Sequence, residues 1–255
     1  MDSYGYISAI ALFIYVAMML IFLAAKRNQI VNSFLLALLS MTCWTGGSCF
    51  MRALLWPNYI FWYHVSLFGL LCLPYAYYLL VNAMAEKEGS IERYIYPVML
   101  GGLFLLNIPD GILFHWPVIV HSGENIRFVY DKIDWKSVIF FAAAGIVVIH
   151  TLYNLIQCRK KNRKYARQMN TVIAGIVIVL GGNIALMLPV FAGFPIDILA
   201  GLINAFFLVY ALAQRNLFEV TLLVSETACT VVGFLISVLL FWFLTPYLRS
   251  GMEQV

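Results

Sequence analysis

Charge is what this sequence has least of: 11% of its 255 residues are Asp, Glu, Lys or Arg, where a soluble domain carries about 25%. Charged residues are absent from Ser3–Ala25, Asn28–Met51, Ser137–Cys158 and Thr227–Leu248. Each run is long enough to cross the roughly 30 Å of hydrocarbon in a bilayer. With 63% of its residues apolar or aromatic and a mean hydropathy of +0.89, the chain has no solvent-facing side for most of its helices. That excludes soluble enzymes, disordered tails and disulfide scaffolds.

Catalytic signatures are missing as well. There is no HExxH, no GxSxG, no Gly-rich phosphate loop and no pair of intramembrane aspartates, so hydrolytic and nucleotide chemistry have no residues to run on. The five cysteines (Cys43, Cys49, Cys72, Cys158, Cys229) are scattered without metal spacing and read as small apolar core residues. The run Ile198–Gln214 holds no lysine, which excludes a retinal Schiff base there. No cofactor or metal is implied. The net charge of +4 does not point to nucleic acid, because six basic residues are packed into Arg159–Arg167 between two apolar runs, the mark of a cytoplasmic loop.

What is present is a series of spans. To the four charge-free runs are added Tyr59–Val81 after the turn Trp56-Pro57-Asn58, a short span from Ile91 to Pro109, Gln168–Phe191, and Ile198–Gln214. The predicted fold is an all-α, polytopic membrane helical bundle of seven helices (residues 1–220), followed by an eighth span in residues 221–255. With the N-terminus outside, Lys26, Arg27, Lys87, Arg93, the six of the basic loop and Arg215 lie inside, whereas Arg52, Arg127, Lys132, Lys136 and Arg249 lie outside. That asymmetry satisfies the positive-inside rule. The first helix carries no basic flank before it, so it reads as retained, and the chain as a multi-pass protein of the cell's inner (plasma) membrane. The segment Asp110–Trp135, placed outside, reads as a structured lid or hairpin.

Costly polar residues gather in the outer half of this layout: Trp44 and Arg52 on the second helix, Trp62 and His64 on the third, Asn107 and Asp110 after the fourth, Asn183 on the sixth, and Asp197 at the start of the seventh. Asp197, Gly201, Asn204 and Leu208 share one helical face, and a polar stripe on a membrane helix belongs inside the bundle. Trp44, Arg52, Trp62, His64, Asn107, Asn183, Asp197 and Asn204 are therefore the candidate ligand-binding residues. Asp197 suits an N-terminal cap or a pairing with Arg52 or His64. In the inner half, His150 and Asn154, at i and i+4, are placed to bond each other or a neighbouring helix, with Asn82 nearby. Gly181, Gly182 and Pro189 permit close contact and a kink in the sixth helix.

Three stretches carry a likeness: Leu188-Pro189-Val190-Phe191-Ala192-Gly193-Phe194-Pro195-Ile196-Asp197, then Phe206-Phe207-Leu208-Val209-Tyr210-Ala211-Leu212, then Gln214-Arg215-Asn216-Leu217-Phe218-Glu219-Val220. Together with Trp62, Gly69 and Pro74-Tyr75-Ala76, they resemble the seven-transmembrane N-terminal sensor region of bacterial histidine kinases, related regions of which precede diguanylate cyclase domains. Glu219 stands where the family usually has Asp. The resemblance implies a non-enzymatic receptor module that detects an extracellular or bilayer-borne cue and relays helix movement to a cytoplasmic output, and it implies a homodimer. The mostly aromatic surroundings favour an apolar or amphipathic small ligand. The eighth span departs from the usual pattern and implies either the sensing half of a longer protein or a stand-alone receptor. The competing readings are a small transporter or channel, which needs polar groups through both leaflets, and a membrane adaptor without ligand, whose contacts would be Ala142-Ala143-Ala144-Gly145 and Ala174-Gly175.

Overall fold

A computed structural model describes residues 5–23, 25–87, 90–109, 111–122, 125–129, 134–161, 163–186 and 194–213. The eighth span, Pro189, Asp110, Arg215 and the 214–220 motif lie outside the described residues. Seven α-helices follow in order: α1 (Gly5–Leu23), α2 (Gln29–Arg52), α3 (Tyr59–Met84), α4 (Glu92–Asn107), α5 (Trp135–Lys161), α6 (Ala166–Leu186) and α7 (Ile196–Ala213). The fold is an all-α helical membrane bundle, as the charge-free runs predict. Its exception is a hairpin of β1 (Val118–Ser122) and β2 (Asn125–Val129), antiparallel with Val118 opposite Val129 and Ser122 opposite Asn125. It occupies the segment expected to form a lid or hairpin.

Five helices are long and apolar enough to cross a bilayer: α1, α2, α3, α5 and α6. The seventh is a shorter apolar helix, Ile196–Leu212, and α4 has 16 residues, about 24 Å at the helical rise. Length alone therefore leaves α4 short of the hydrocarbon thickness, a mismatch that local thinning and snorkelling accommodate. Helix starts follow the sequence closely. Asn28 accepts the Val31 N–H at 2.8 Å and Asn58 the Phe61 N–H at 2.7 Å, each satisfying one orphan donor of a first turn.

Glycine decides the central pairing. A Cβ on Gly47 would overlap the Ser66 nitrogen and the Trp62 carbonyl, and one on Gly69 would overlap the Trp44 nitrogen and the Ser40 carbonyl. The α2 and α3 backbones thus touch at two reciprocal points, and Ser66 Oγ seals the contact by donating to the Trp44 carbonyl at 2.9 Å. Around this pair, α1 and α7 pack on one side and α5 and α4 on the other. One apolar core runs through α1, α2, α3, α5, α6 and α7, with Tyr15, Phe34, Leu38, Met41, Leu155 and Leu208 among its members; a second joins α3, α4 and α5 through Tyr63, Tyr78, Tyr96 and Phe140. Cys43, Cys49, Cys72 and Cys158 are free thiols, and Cys229 lies outside the described residues. Gly175 and Gly182 pack against α7, whereas Gly145 and Gly181 face open space; the small-residue stretch at 142–145 thus has no partner within the described chain at its glycine.

Candidate functional site

The eight candidate residues do not all come together. Trp44, Arg52, Asp197 and Asn204 converge where α2 meets α7. Trp44 is 4% exposed, and its ring lies 3.4 Å from where a Gly201 side chain would begin, so glycine at 201 lets α7 close onto α2. Asp197, half-buried in the first turn of α7, accepts from the Ile198 N–H and lies within electrostatic reach of the Arg52 guanidinium. The first turn of α7 and the Arg52 charge thus both act on this carboxylate.

Below this pair the site deepens into the core. Asn204 is fully buried and donates through Nδ2 to the Tyr77 hydroxyl at 2.5 Å. Its Oδ1 has no partner among the described residues. Tyr15 and Thr45, both 0% exposed, bring their hydroxyls side by side, neither meeting hydrogen-bond geometry. A Cβ on Gly201 would come within 2.9 Å of the Tyr15 hydroxyl, which places that oxygen against α7. Three buried oxygens thus lie on helices α1, α2 and α7 in an otherwise apolar layer. Unsatisfied polar atoms cost about 1–3 kcal/mol each, so the arrangement is one that a polar group on a ligand can relieve. Tyr15, Thr45 and Tyr77 were not among the residues singled out from sequence. The available signal was weak: a tyrosine inside the apolar Ala11-Leu12-Phe13-Ile14-Tyr15-Val16 run.

Of the other candidates, His64 and Asn107 lie between α3, the chain after α4 and the hairpin, Trp62 lies at the α2–α3 turn, and Asn183 stands apart on α6. Asn107, fully buried, accepts from the Leu113 and Phe114 N–H groups at 3.0 and 2.8 Å and donates to the Phe114 carbonyl at 3.1 Å. It is thereby consumed in folding the chain after α4. Gly111, at φ 59°, makes the turn in the left-handed region. His64 lies edge-on to Trp116 at 6.3 Å between ring centroids. Trp62 Nε1 donates to the Leu55 and Trp56 carbonyls, both at 3.2 Å, anchoring the α2–α3 turn. Asn183 Nδ2 donates to its own helix at the Val179 carbonyl, 2.9 Å away. Phe128 of the hairpin packs near Tyr59, with ring centroids 6.0 Å apart, so β2 rests on the outer end of α3. Asp134 accepts the Ser137 N–H at 2.8 Å and stands 3.7 Å from His115 Nε2. Those bonds, that of the Ser137 N–H first, hold its carboxyl below the usual range.

At the inner end a different chain of contacts runs across three elements. Tyr96 Oη meets His150 Nδ1 at 2.6 Å, His150 Nε2 meets Asn154 Nδ2 at 3.2 Å, and Asn154 Oδ1 accepts from Lys87 Nζ at 3.0 Å. His150 and Asn154 thus bond each other and also tie α5 to α4 and to the chain after α3. No group of three or more His, Cys, Asp or Glu residues suited to a metal exists among the described residues.

Residues 6–221 match the family described as the N-terminal 7TM region of histidine kinase. The chain belongs to that family. The region is a non-catalytic N-terminal one, and its members are multi-pass membrane proteins. No curated protein matches the chain significantly.

Proposed function

We propose that this chain is the sensing part of a histidine-kinase-type signalling system in the inner membrane. It binds a small apolar or amphipathic ligand in the outer half of the bundle and passes the resulting movement of α7 to a cytoplasmic output. Residues 1–220 would form the sensor and 221–255 a further span, with the output either on a longer chain or on a homodimeric or separate partner. The observation that carries the reading is the convergence of Asp197, Arg52, Tyr15, Thr45 and Asn204 on the α1–α2–α7 junction. A carboxylate and a cation at that depth are costly to keep, and α7 leads straight from them toward the cytoplasmic side. Trp62, His64 and Asn107 then serve as the outer frame, and Asn183 as a structural residue.

The reading is tested with three ten-carbon probes that differ only in the head: decanoate, decanol and decylamine. Titrated into the purified chain in detergent, one of them raises the melting temperature saturably, and Asp197→Asn abolishes that rise while the apo melting temperature stays close to that of the native sequence. An undiminished response in Asp197→Asn would remove the carboxylate from the site. Proteoliposomes holding potassium and glutamate keep their contents as long as protein-free vesicles do; specific leakage would favour a channel or transporter instead.

A further inference from the structure

A second site lies at the other end of the molecule and is independent of whether the outer layer binds a ligand. Between the first turn of α2, the last turn of α3 and the start of α4 lies a cleft of about 380 Å³. Leu36, Leu79 and Ala83 form its apolar wall, and Gln29, Asn82, Lys87 and Arg93 line its polar side. Positive charge is concentrated at the mouth. Lys87 and Arg93 are exposed, and Arg27 reaches Asn32, another lining residue, at 3.5 Å. The N-terminal end of α2 opens on the same space, adding the positive end of its dipole. Two described acids flank lining residues in sequence: Glu86 beside Lys87, and Glu92 beside Arg93, the latter engaged by the Ser90 hydroxyl.

The decisive residue is Asn82. It is 8% exposed, lines the cleft, and its Oδ1 is buried without a partner among the described residues. Side-chain amides in such a position hold both a donor and an acceptor to be met. Arginine and lysine at the mouth select an anion with several oxygens, while the orphan Asn82 carbonyl calls for a donor on the same ligand. We propose that this cleft binds one phosphate ester whose adjoining group carries a hydroxyl or ammonium donor, supplied either by the headgroup of an inner-leaflet phospholipid or by a soluble phosphate ester. On the N-out orientation the cleft opens at the cytoplasmic interface, where the apolar wall continues into the bilayer and both sources have access. Lys87 links the cleft to the Asn154–His150–Tyr96 chain, so occupancy stiffens the contact of α3 with α5.

The test uses the full chain in detergent with three probes: dioleoyl phosphatidylglycerol, dioleoyl phosphatidylcholine, whose headgroup has no donor, and glycerol 3-phosphate. The expected result is a saturable rise in melting temperature, with one bound molecule by native mass spectrometry, for phosphatidylglycerol or glycerol 3-phosphate but not for phosphatidylcholine. A rise with the lipid alone assigns a membrane source, and a rise with glycerol 3-phosphate assigns a soluble one. Arg93→Gln and Arg27→Gln, both at exposed positions, weaken binding roughly tenfold through lost charge-assisted hydrogen bonds; Arg163→Gln, an equal loss of charge on the α5–α6 connection, leaves it unchanged. Equal responses to all probes, equal losses in all three variants, or no response to any probe would overturn the assignment.

Discussion

Asn204 and Tyr77 form a buried pair whose two halves come from α7 and α3, 127 residues apart in sequence. Replacing Asn204 by Leu strands the Tyr77 hydroxyl and should lower stability by about 1 kcal/mol. Adding Tyr77→Phe should restore part of that loss, because the orphaned oxygen goes with it. A thermal unfolding series of the two single variants and the double variant checks this, and strict additivity would deny the coupling. Asp134 makes a pH prediction outside the membrane. Its carboxyl titrates below the ordinary range in the folded chain, so the cap on α5 is fully present above the unfolded carboxylate pKa and is lost as pH falls through the folded value. Protection factors of the amides in the first turn of α5, exchange rates normalised to the intrinsic rate at each pH, should fall as the solution is acidified through the range in which this carboxyl protonates, and Asp134→Ala should show the low protection already at neutral pH. At this scale the sequence is informative where polarity in an apolar run is rare: Arg52, Asp197 and Asn204 stand out by cost alone. Sequence does not show that Asn107 and Asn183 bond local backbone, since a carboxamide satisfied in this way has the same letter as one aimed into a pocket. Sequence reading missed Tyr15 and Thr45 because tyrosine and threonine are ordinary in membrane helices.

Element packing turns on α2 and α3. Gly47 and Gly69 each face the partner's backbone with no room for a methyl group, so Gly47→Leu or Gly69→Leu must push the helices apart. Each should cost about 1–3 kcal/mol or more and sharply reduce the yield of folded protein on size exclusion, while Gly145→Leu, which meets open space, is expressed and melts like the native chain. Folded, native-like Gly69→Leu would refute the close approach. The order and approximate limits of the seven described helices were legible in the sparsely charged runs, because exclusion of charge from hydrocarbon acts over whole segments. Which glycines lie at contacts was not. Gly47 and Gly145 occur in similar apolar settings, and only the rotation of each helix about its axis separates them. The hairpin after α4 was legible as a structured excursion, from its mixture of Pro, Gly, Trp and His, though its strand register was not.

For the molecule as a whole, the positive-inside count predicts an orientation with the Asp197 end outward and the Asn82 cleft inward. In a chain whose five native cysteines are replaced, a cysteine at Val120 of β1 should react with a membrane-impermeant maleimide on intact cells. One at Lys160 should react only after permeabilisation; the reverse pattern would invert the assignment of both sites. Orientation is expected from the charge asymmetry of the sequence, and this labelling tests it. Coupling between the ends is not readable from sequence, because it depends on which helices share contacts. The central claim is that the Asp197–Arg52 pair at the outer end governs the arrangement of the inner end through α7. Spin labels at Lys161 on α5 and Tyr210 on α7, both exposed, measure that arrangement directly by pulsed dipolar spectroscopy. The account predicts that Asp197→Asn shifts the inter-label distance distribution by on the order of 1–2 Å, while Asn183→Ala leaves it as in the native sequence. Superimposable distributions for all three proteins would contradict it.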